Sequence, residues 1–386
     1  MYEGEVNTSR ISSTTKPLLR IRYLRRETLS RVASQFALGL LKVMLIDLLN
    51  EWVSSTETLR SQQLILNGSV ILATDVGLKR QENQDRVAAL RTASSKDGRP
   101  SFVCLAVSDG MGGMQAGGEC ASLTIAALFA SLLQPSDRGI QDRLKEATAF
   151  ANQAVYQKWK GKGGATLSAI IVDQRGDTHT SNVGDSRIYV ATSDKTNTRR
   201  VTVDDSLEEA FGGQGRELVQ FMGIGSSLLP RIDALPTSID SIFLTSDGAH
   251  YFDKQVLEQL MLRADHPVRA SERIVALARW LGGPDNASVA AVKLSDVVQL
   301  MRDAPASFPT IWSGASQLQI CTDTDRSLPT NQAAPAAAPE STPEEPRDYR
   351  KRGASKRKIN IRKKDPGAKQ LEIDITTDEG DDENHR

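Results

Sequence analysis

The chain holds 386 residues, 39% hydrophobic and 25% charged, and its 48 Lys+Arg match its 48 Asp+Glu. That balance excludes a uniformly basic nucleic-acid binder and a uniformly acidic chain, and the apolar share is enough to build a core over part of the length. Aromatics, at 5%, indicate that some of the chain adds nothing to that core.

Residues 1–34 are rich in Ser, Thr and Arg, with seven Lys/Arg against three Glu. An amphipathic helix is expected over about Leu29 to Trp52. One reading is a membrane-surface or targeting segment. The favoured reading is a helix packed on a neighbour, because no cleavage signal follows. The apolar run Phe36 to Leu49 is broken by Lys42 and Asp47 and is too short to span a bilayer.

Residues 68–295 read as one α+β unit. Strands are predicted at Val70–Thr74, Phe102–Val107, Ala165–Val172, His179–Val183, Arg187–Ala191, Arg200–Val203, Ile242–Leu244 and Ser288–Leu294. Helices are predicted at Gly118–Leu133, Gln141–Trp159, Lys254–Leu262 and Ser271–Leu281. Helices fall in pairs between groups of strands, several of which are separated only by turn residues. This pattern suits antiparallel sheets covered by helices, not strict βαβ alternation.

A packing segment over 296–324 precedes a change of composition. Residues 325–346 hold five of the fifteen prolines and read as an extended, disordered linker. Ten Lys/Arg crowd into 347–364 with only Asp348 opposing, and an acidic end runs from Glu372 to Glu383. Opposed blocks of this kind stay solvated. A docking tail for a partner is the sharper reading, and the lack of interleaved aromatics argues against nucleic acid.

Three cysteines (Cys104, Cys120, Cys321), an odd and sparse set, fit a reducing compartment and a cytoplasmic protein. With four histidines and no Cys-x-x-Cys, a Cys/His zinc site is not expected.

The aspartates carry the chemical signal. The apolar run Phe102 to Ser108 leads into Asp109-Gly110, and Ile242 to Ser246 leads into Asp247-Gly248. Asn182-Val183-Gly184 meets Asp185, Asp285-Asn286 opens the last strand, and Asp85 follows a Gly77 turn near the first. Each site alone is an ordinary turn or strand terminator. Five together, two sharing Ser-Asp-Gly after an apolar strand, point to convergence at one edge. Clustered carboxylates repel, and a divalent cation removes the repulsion. All-oxygen donors select hard ions such as Mg²⁺ or Mn²⁺.

In this order the motifs resemble the metal-dependent type 2C serine/threonine protein phosphatases, in their bacterial form. They are Asp75-Val76-Gly77 with Arg80 to Asp85; Val107 to Gly113 with Ala116 to Glu119; Gly164-Ala165-Thr166; Asn182 to Arg187; Thr245 to Gly248; and Asp285-Asn286. The resemblance implies a β-sandwich of two antiparallel sheets flanked by helix pairs, with an N-terminal helical extension (1–67) and the charged tail (325–386) outside it. It implies that Asp85, Asp109, Gly110 through its carbonyl, Asp247 and Asp285 hold two Mn²⁺ or Mg²⁺ ions, with Asp109 bridging. Asp185, with Asp247, would hold a third, weaker ion, and Arg80 would bind phosphate. Arg80, Asp109 and Asp247 are the expected catalytic residues. Paired cations would activate a water for attack on phosphorus, and Arg80 offers a two-pronged donor that Lys cannot reproduce. Phosphorylated proteins and a cognate serine/threonine kinase are the implied partners.

The chain departs from the family at Gln84, often an acid in relatives; at Met111, where some members carry a histidine; and at Asp205, in a stretch that carries histidine in relatives. The flap-like stretch Ser206 to Pro230 is short. These departures leave a second reading open: a weakly active or inactive phosphatase-like adaptor that docks partners through its tail.

Overall fold

Two stacked sheets follow from how the strand residues alternate. The computed structural model describes residues 18–21, 31–56, 58–94, 101–112, 114, 116–194, 196–212 and 217–322, with side chains from residue 42 onward except at 210, 211, 321 and 322. After strand β1 (Leu18–Ile21) and helix α1 (Arg31–Ser55) come β2 (Arg60–Ile65), β3 (Val70–Asp75), β4 (Arg86–Arg91) and β5 (Phe102–Ser108). Helices α2 (Gly117–Leu132) and α3 (Ile140–Trp159) precede β6 (Leu167–Asp173), β7 (Thr178–Val183), β8 (Arg187–Thr192) and β9 (Thr198–Arg200). Then follow α4 (Leu207–Phe211), β10 (Arg231–Ala234), β11 (Ile239–Thr245) and α5 (Asp247–His250). The chain continues through α6 (Lys254–Arg263), α7 (Pro267–Trp280), β12 (Ala287–Lys293), α8 (Leu294–Asp303), β13 (Thr310–Ser313) and β14 (Gln317–Thr322).

One sheet runs β1-β14-β13-β4-β5-β6-β7-β10 and the other β2-β3-β12-β11-β8-β9. Neighbours are antiparallel throughout except β1 with β14, which are parallel. The expected sandwich is therefore present. Successive strand side chains point to opposite faces. Val70 and Leu72 of β3, Val103 and Leu105 of β5, and Leu244 of β11 fill the space between the sheets. Their neighbours Ile71, Ala73 and Phe243 face α6 and α7, while Cys104 and Ala106 face α2 and α3. Strands buried on both faces read as unbroken apolar runs, which is why they stood out in the sequence.

Helix α2 is buried along nearly its whole length, because the larger sheet, α3 and α1 surround it. Such a helix lacks a polar stripe. Leu45, Ile46, Leu49 and Val53 of α1 are buried in that cluster, as expected of a helix packed on a neighbour.

Two details differ from the sequence reading. The strand expected at Arg200–Val203 is β9, Thr198–Arg200. It ends early because the Thr202 hydroxyl accepts from Ile188 N at 3.1 Å, in place of a strand carbonyl. Strands β1, β2, β4, β10, β13 and β14 and helices α4, α5 and α8 were not anticipated as elements. The linker and charged tail, 325–386, lie outside the described residues. No helix among the described residues is long and apolar enough to cross a membrane.

Candidate metal centre

Antiparallel pairing gathers the aspartates. Asp109, Asp185 and Asp247 follow the C-terminal ends of β5, β7 and β11, and Asp85 and Asp285 precede the N-terminal ends of β4 and β12. The register sets Arg86 opposite Ser108 and Thr245 opposite Val289. All five acids thus lie at one edge of the sandwich. Arg80, Gln84, Asp109, Gly110, Met111, Thr166, Asp185, Leu218, Asp247, Asp285 and Asn286 line a single cleft there. Asp85 is 3% exposed and stands behind that lining.

Hydroxyls and amides fix the acids. Asp85 Oδ2 accepts from Ser246 Oγ at 2.7 Å, and Ser246 Oγ accepts from Ser288 N at 2.9 Å. Asp109 N donates to Thr166 Oγ1 at 3.0 Å, and Thr166 N donates to Asp109 O at 2.8 Å. Asn286 Oδ1 accepts from Gln84 N at 2.8 Å, while Asn286 Nδ2 donates to the carbonyls of Val76 and Glu82, each at 3.0 Å. Asp205, in the stretch where relatives carry histidine, clamps the turn before Asp185. Its Oδ2 accepts from Gly184 N at 3.0 Å, and its own N donates to Gly184 O at 3.0 Å.

Close approach explains two glycines. A Cβ on Gly110 would lie 2.3 Å from the Gly117 carbonyl carbon, and one on Gly248 would lie 2.1 Å from Asn286 O. Both are backbone atoms that cannot swing away, so only glycine fits beside the acids.

Crowding and burial push these carboxyls toward protonation. Burial first, then repulsion from Asp247 and Asp285, raises Asp85 to about 6 against the hydrogen bonds of Ser246 and Ser288. Burial, then Asp247 and Asp204, raises Asp185 to about 7. Asp109 rises well above the carboxylate range through burial and its four acidic neighbours, Asp85, Asp247, Asp185 and Asp285. Asp247 rises through burial and Asp285. Buried like charges carry this penalty unless a cation neutralises them.

Whether these residues fit a metal turns on their free oxygens. Asp85 Oδ1 and Asp247 Oδ1 are buried with no hydrogen-bond partner among the described residues. Unpartnered anionic oxygens in an all-oxygen set fit a hard divalent ion. As the side chains stand, no group of three or more acidic, histidine or cysteine residues among the described residues is arranged to hold one. Asp285 is turned to Arg80, whose Nη2 lies 2.6 Å from its Oδ2. The donor set fits an ion, and carboxylate rotation would have to complete its coordination.

Arg80, Asp109, Gly110, Asp185, Asp247 and Asp285 are brought together, with Asp85 behind them. Sequence reasoning did not single out Ser246, Ser288, Asn83 or Leu218, since Ser, Asn and Leu carry no signal of their own at such positions. Asn83 N–H donors reach Thr58 O at 2.9 Å and Thr74 Oγ1 at 2.8 Å, and its Oδ1 accepts from Asp85 N at 3.2 Å.

A model of the family Protein phosphatase 2C matches residues 73–209. The serine/threonine protein phosphatase PstP of Mycobacterium tuberculosis is 28% identical over 246 residues, 58% of this chain and 44% of PstP. The chain thus spans less than half the length of that relative. A putative protein phosphatase 2C-type of Streptococcus pyogenes is 24% identical over 247 residues, 58% of this chain and 96% of that protein. Among solved structures, the PPM Ser-Thr phosphatase MsPP from Mycobacterium smegmatis, in complex with cacodylate, is 26% identical. It aligns over 58% of this chain and 97% of its own with a TM-score of 0.48. The catalytic domain of PstP in complex with two manganese ions is 24% identical, over 58% and 96%, with a TM-score of 0.48. The stretch 73–209 that matches this family model carries five of the seven expected site residues: Arg80, Asp85, Asp109, Gly110 and Asp185.

Proposed function

We propose that this chain is a metal-dependent protein phosphatase that hydrolyses phosphoserine and phosphothreonine on proteins. The observation that carries the reading is the convergence of five aspartates and Arg80 at one sandwich edge, with buried carboxylate oxygens on Asp85 and Asp247 left unpartnered. In this reading Asp85, Asp109, Gly110 through its carbonyl, Asp247 and Asp285 would hold two Mn²⁺ or Mg²⁺ ions. Asp185 and Asp247 would hold a third, weaker ion. When bound, such ions neutralise the acids and lower the pKa of a water.

The chain's own residues do the rest. Arg80 presents paired N–H donors to the phosphoryl oxygens and fixes the phosphorus for in-line displacement. Ser246 and Thr166 hold the acids in place. Met111, on the cleft wall, has no proton to give, so the leaving alkoxide takes its proton from water. Residues 68–295 form the catalytic unit and 1–67 the extension before it. The substrates are phosphoproteins made by a serine/threonine kinase, in the cytoplasm. The adaptor reading gains no support, because the tail on which it depends lies outside the described residues.

Purified full-length chain with Mn²⁺ should release phosphate from phosphothreonine and phosphoserine peptides and stop in EDTA. Turnover that persists in EDTA rules the reading out.

A further inference from the structure

Beside the loops that carry Arg80 and Asp285 lies an apolar surface that phosphoryl transfer leaves unused. Four large side chains stand in solvent there: Leu78 at 53% exposure, Tyr251 at 41%, Trp280 at 81% and Leu281 at 45%. Hydrogen bonds join the segments that carry them. Leu78 N donates to Gly283 O at 2.8 Å, Tyr251 Oη donates to Ala278 O at 2.9 Å, and Arg279 Nη1 donates to Gly77 O at 3.1 Å. The last turn of α7, the residue after α5 and the loop before Arg80 therefore abut.

This surface is continuous with the cleft. Leu78 lies two residues before Arg80, and Leu281 four residues before Asp285. The 2.6 Å bond between Arg80 and Asp285 closes the two loops on each other. Single exposed apolar residues are ordinary, whereas a cluster at the mouth of a reactive cleft marks an interaction site. Exposed Lys79 sits between Leu78 and Arg80, so the surface pairs apolar area with positive charge. That combination suits a phosphorylated chain.

We propose that this surface receives an apolar side chain from the segment flanking the phosphorylated residue of a protein substrate. The inference rests on the phosphatase reading and adds a selection rule: substrates with an apolar residue a few positions from the phosphate are preferred. An extended chain advances about 3.3 Å per residue, so residues three to four positions from a phosphate held at Arg80 lie about 10–13 Å along it. Exposed aromatic and aliphatic anchors are where binding energy concentrates, and tryptophan leads them. Small aryl phosphates cannot extend that far.

The test uses full-length chain, wild type, Trp280→Ala and Leu78→Ser, with Mn²⁺. Two phosphothreonine peptides, identical but for Leu or Ser at flanking positions three and four, are compared with p-nitrophenyl phosphate. Fluorescence anisotropy of the same labelled peptides reads binding without turnover. The wild type should favour the Leu peptide in KM and in affinity, and each variant should cut that preference about tenfold. The ratio of Leu-peptide to p-nitrophenyl phosphate kcat/KM should fall with it. Equal treatment of both peptides by the wild type overturns the proposal, as does an equal loss for both peptides in the variants. A change of oligomeric mass in Trp280→Ala without a change in peptide preference also overturns it, assigning the surface to a second copy. Absence of all turnover with intact Leu-peptide preference in anisotropy would fail the phosphatase reading and keep the docking surface.

Discussion

Arg80 and Asp285 meet at 2.6 Å across 205 residues of chain, joining the group proposed for phosphate to one proposed for metal. Asp285 raises the Arg80 pKa, chiefly through that hydrogen bond. Their side chains are 46% and 30% exposed, so the pair adds little to stability. Its weight lies in geometry, since it fixes how far the guanidinium stands from the acids.

Arg80→Ala should lower kcat/KM on a phosphothreonine peptide on the order of a hundredfold, the scale of losing one preorganised donor to developing charge. Arg80→Lys should recover only part, because a point charge does not reproduce the fork. Full recovery by Lys in steady-state assays would reduce Arg80 to a simple countercharge.

Ion binding should appear in stability as well as in rate. At Mn²⁺ a hundred times its dissociation constant, the wild type should gain about 2.7 kcal/mol against unfolding. Asp109→Asn and Asp247→Asn should lose that gain and the turnover together. Thermal melts with and without EDTA read the first, and phosphate release reads the second.

The acids predict how the metal-free chain responds to pH. Asp85 and Asp185 titrate near 6 and 7 when folded, above the ordinary value of 3.8. The folded state therefore keeps protons that the unfolded chain has released. Stability from these groups is fullest below pH about 4 and is lost as pH climbs to about 7, at no more than about 1.4 kcal/mol per group per pH unit. Buried His250, held well below its ordinary value first by burial and then by Arg187 and Arg200, acts with the opposite sign below pH 6.5. Comparing urea unfolding of wild type and Asp185→Asn in EDTA isolates the carboxyl share, and the variant should be relatively more stable at pH 7 than at pH 5. With Mn²⁺, affinity should strengthen over the same range, because protons must leave.

Gly248→Ala should cost about 1–3 kcal/mol, the usual range for overpacking. Its new Cβ would press Asn286 O at 2.1 Å, and Asn286 holds the loop before Asp85 through Gln84 N. Calorimetric Mn²⁺ titration should show weaker binding in the variant. Unchanged affinity would mean that the loop relaxes freely.

Arg86→Met should destabilise by a similar amount. Arg86 Nη1 donates to the carbonyls of Asn83 at 2.7 Å and Asp85 at 2.9 Å, and Nε donates to Ser122 Oγ at 2.8 Å. Buried carbonyls stripped of donors cost about 1–3 kcal/mol each. A chemical denaturation midpoint equal to that of the wild type would show that water takes over those bonds.

Much of this architecture could be read from residue order. Strands β3, β5, β11 and β12 were legible because both faces are buried and the runs are continuously apolar. The acids were legible because each punctuates such a run. Strand β4 was hidden, since Arg86 to Arg91 carries its apolar residues in a block that suits helix or strand, and its start belongs to the Asp85 motif. Strand β2 alternates exposed and half-buried polar residues, so only its pairing with β3 makes it a strand. The supporting hydroxyls Ser246, Ser288 and Thr166 act through tertiary hydrogen bonds that spacing does not encode. The bond between Arg80 and Asp285 joins two loops whose approach depends on the whole smaller sheet.

Strand β13 lies against β4, with Ser313 opposite Ala88 and Thr310 opposite Arg91. Without β13 and β14, β4 would become the border of its sheet, with bare amide and carbonyl rungs starting three residues from Asp85. Such borders invite foreign strands. A chain trimmed after Asp303 would keep every proposed ligand and still tend to self-associate, so the segment beyond α8 guards colloidal behaviour beside the reactive edge.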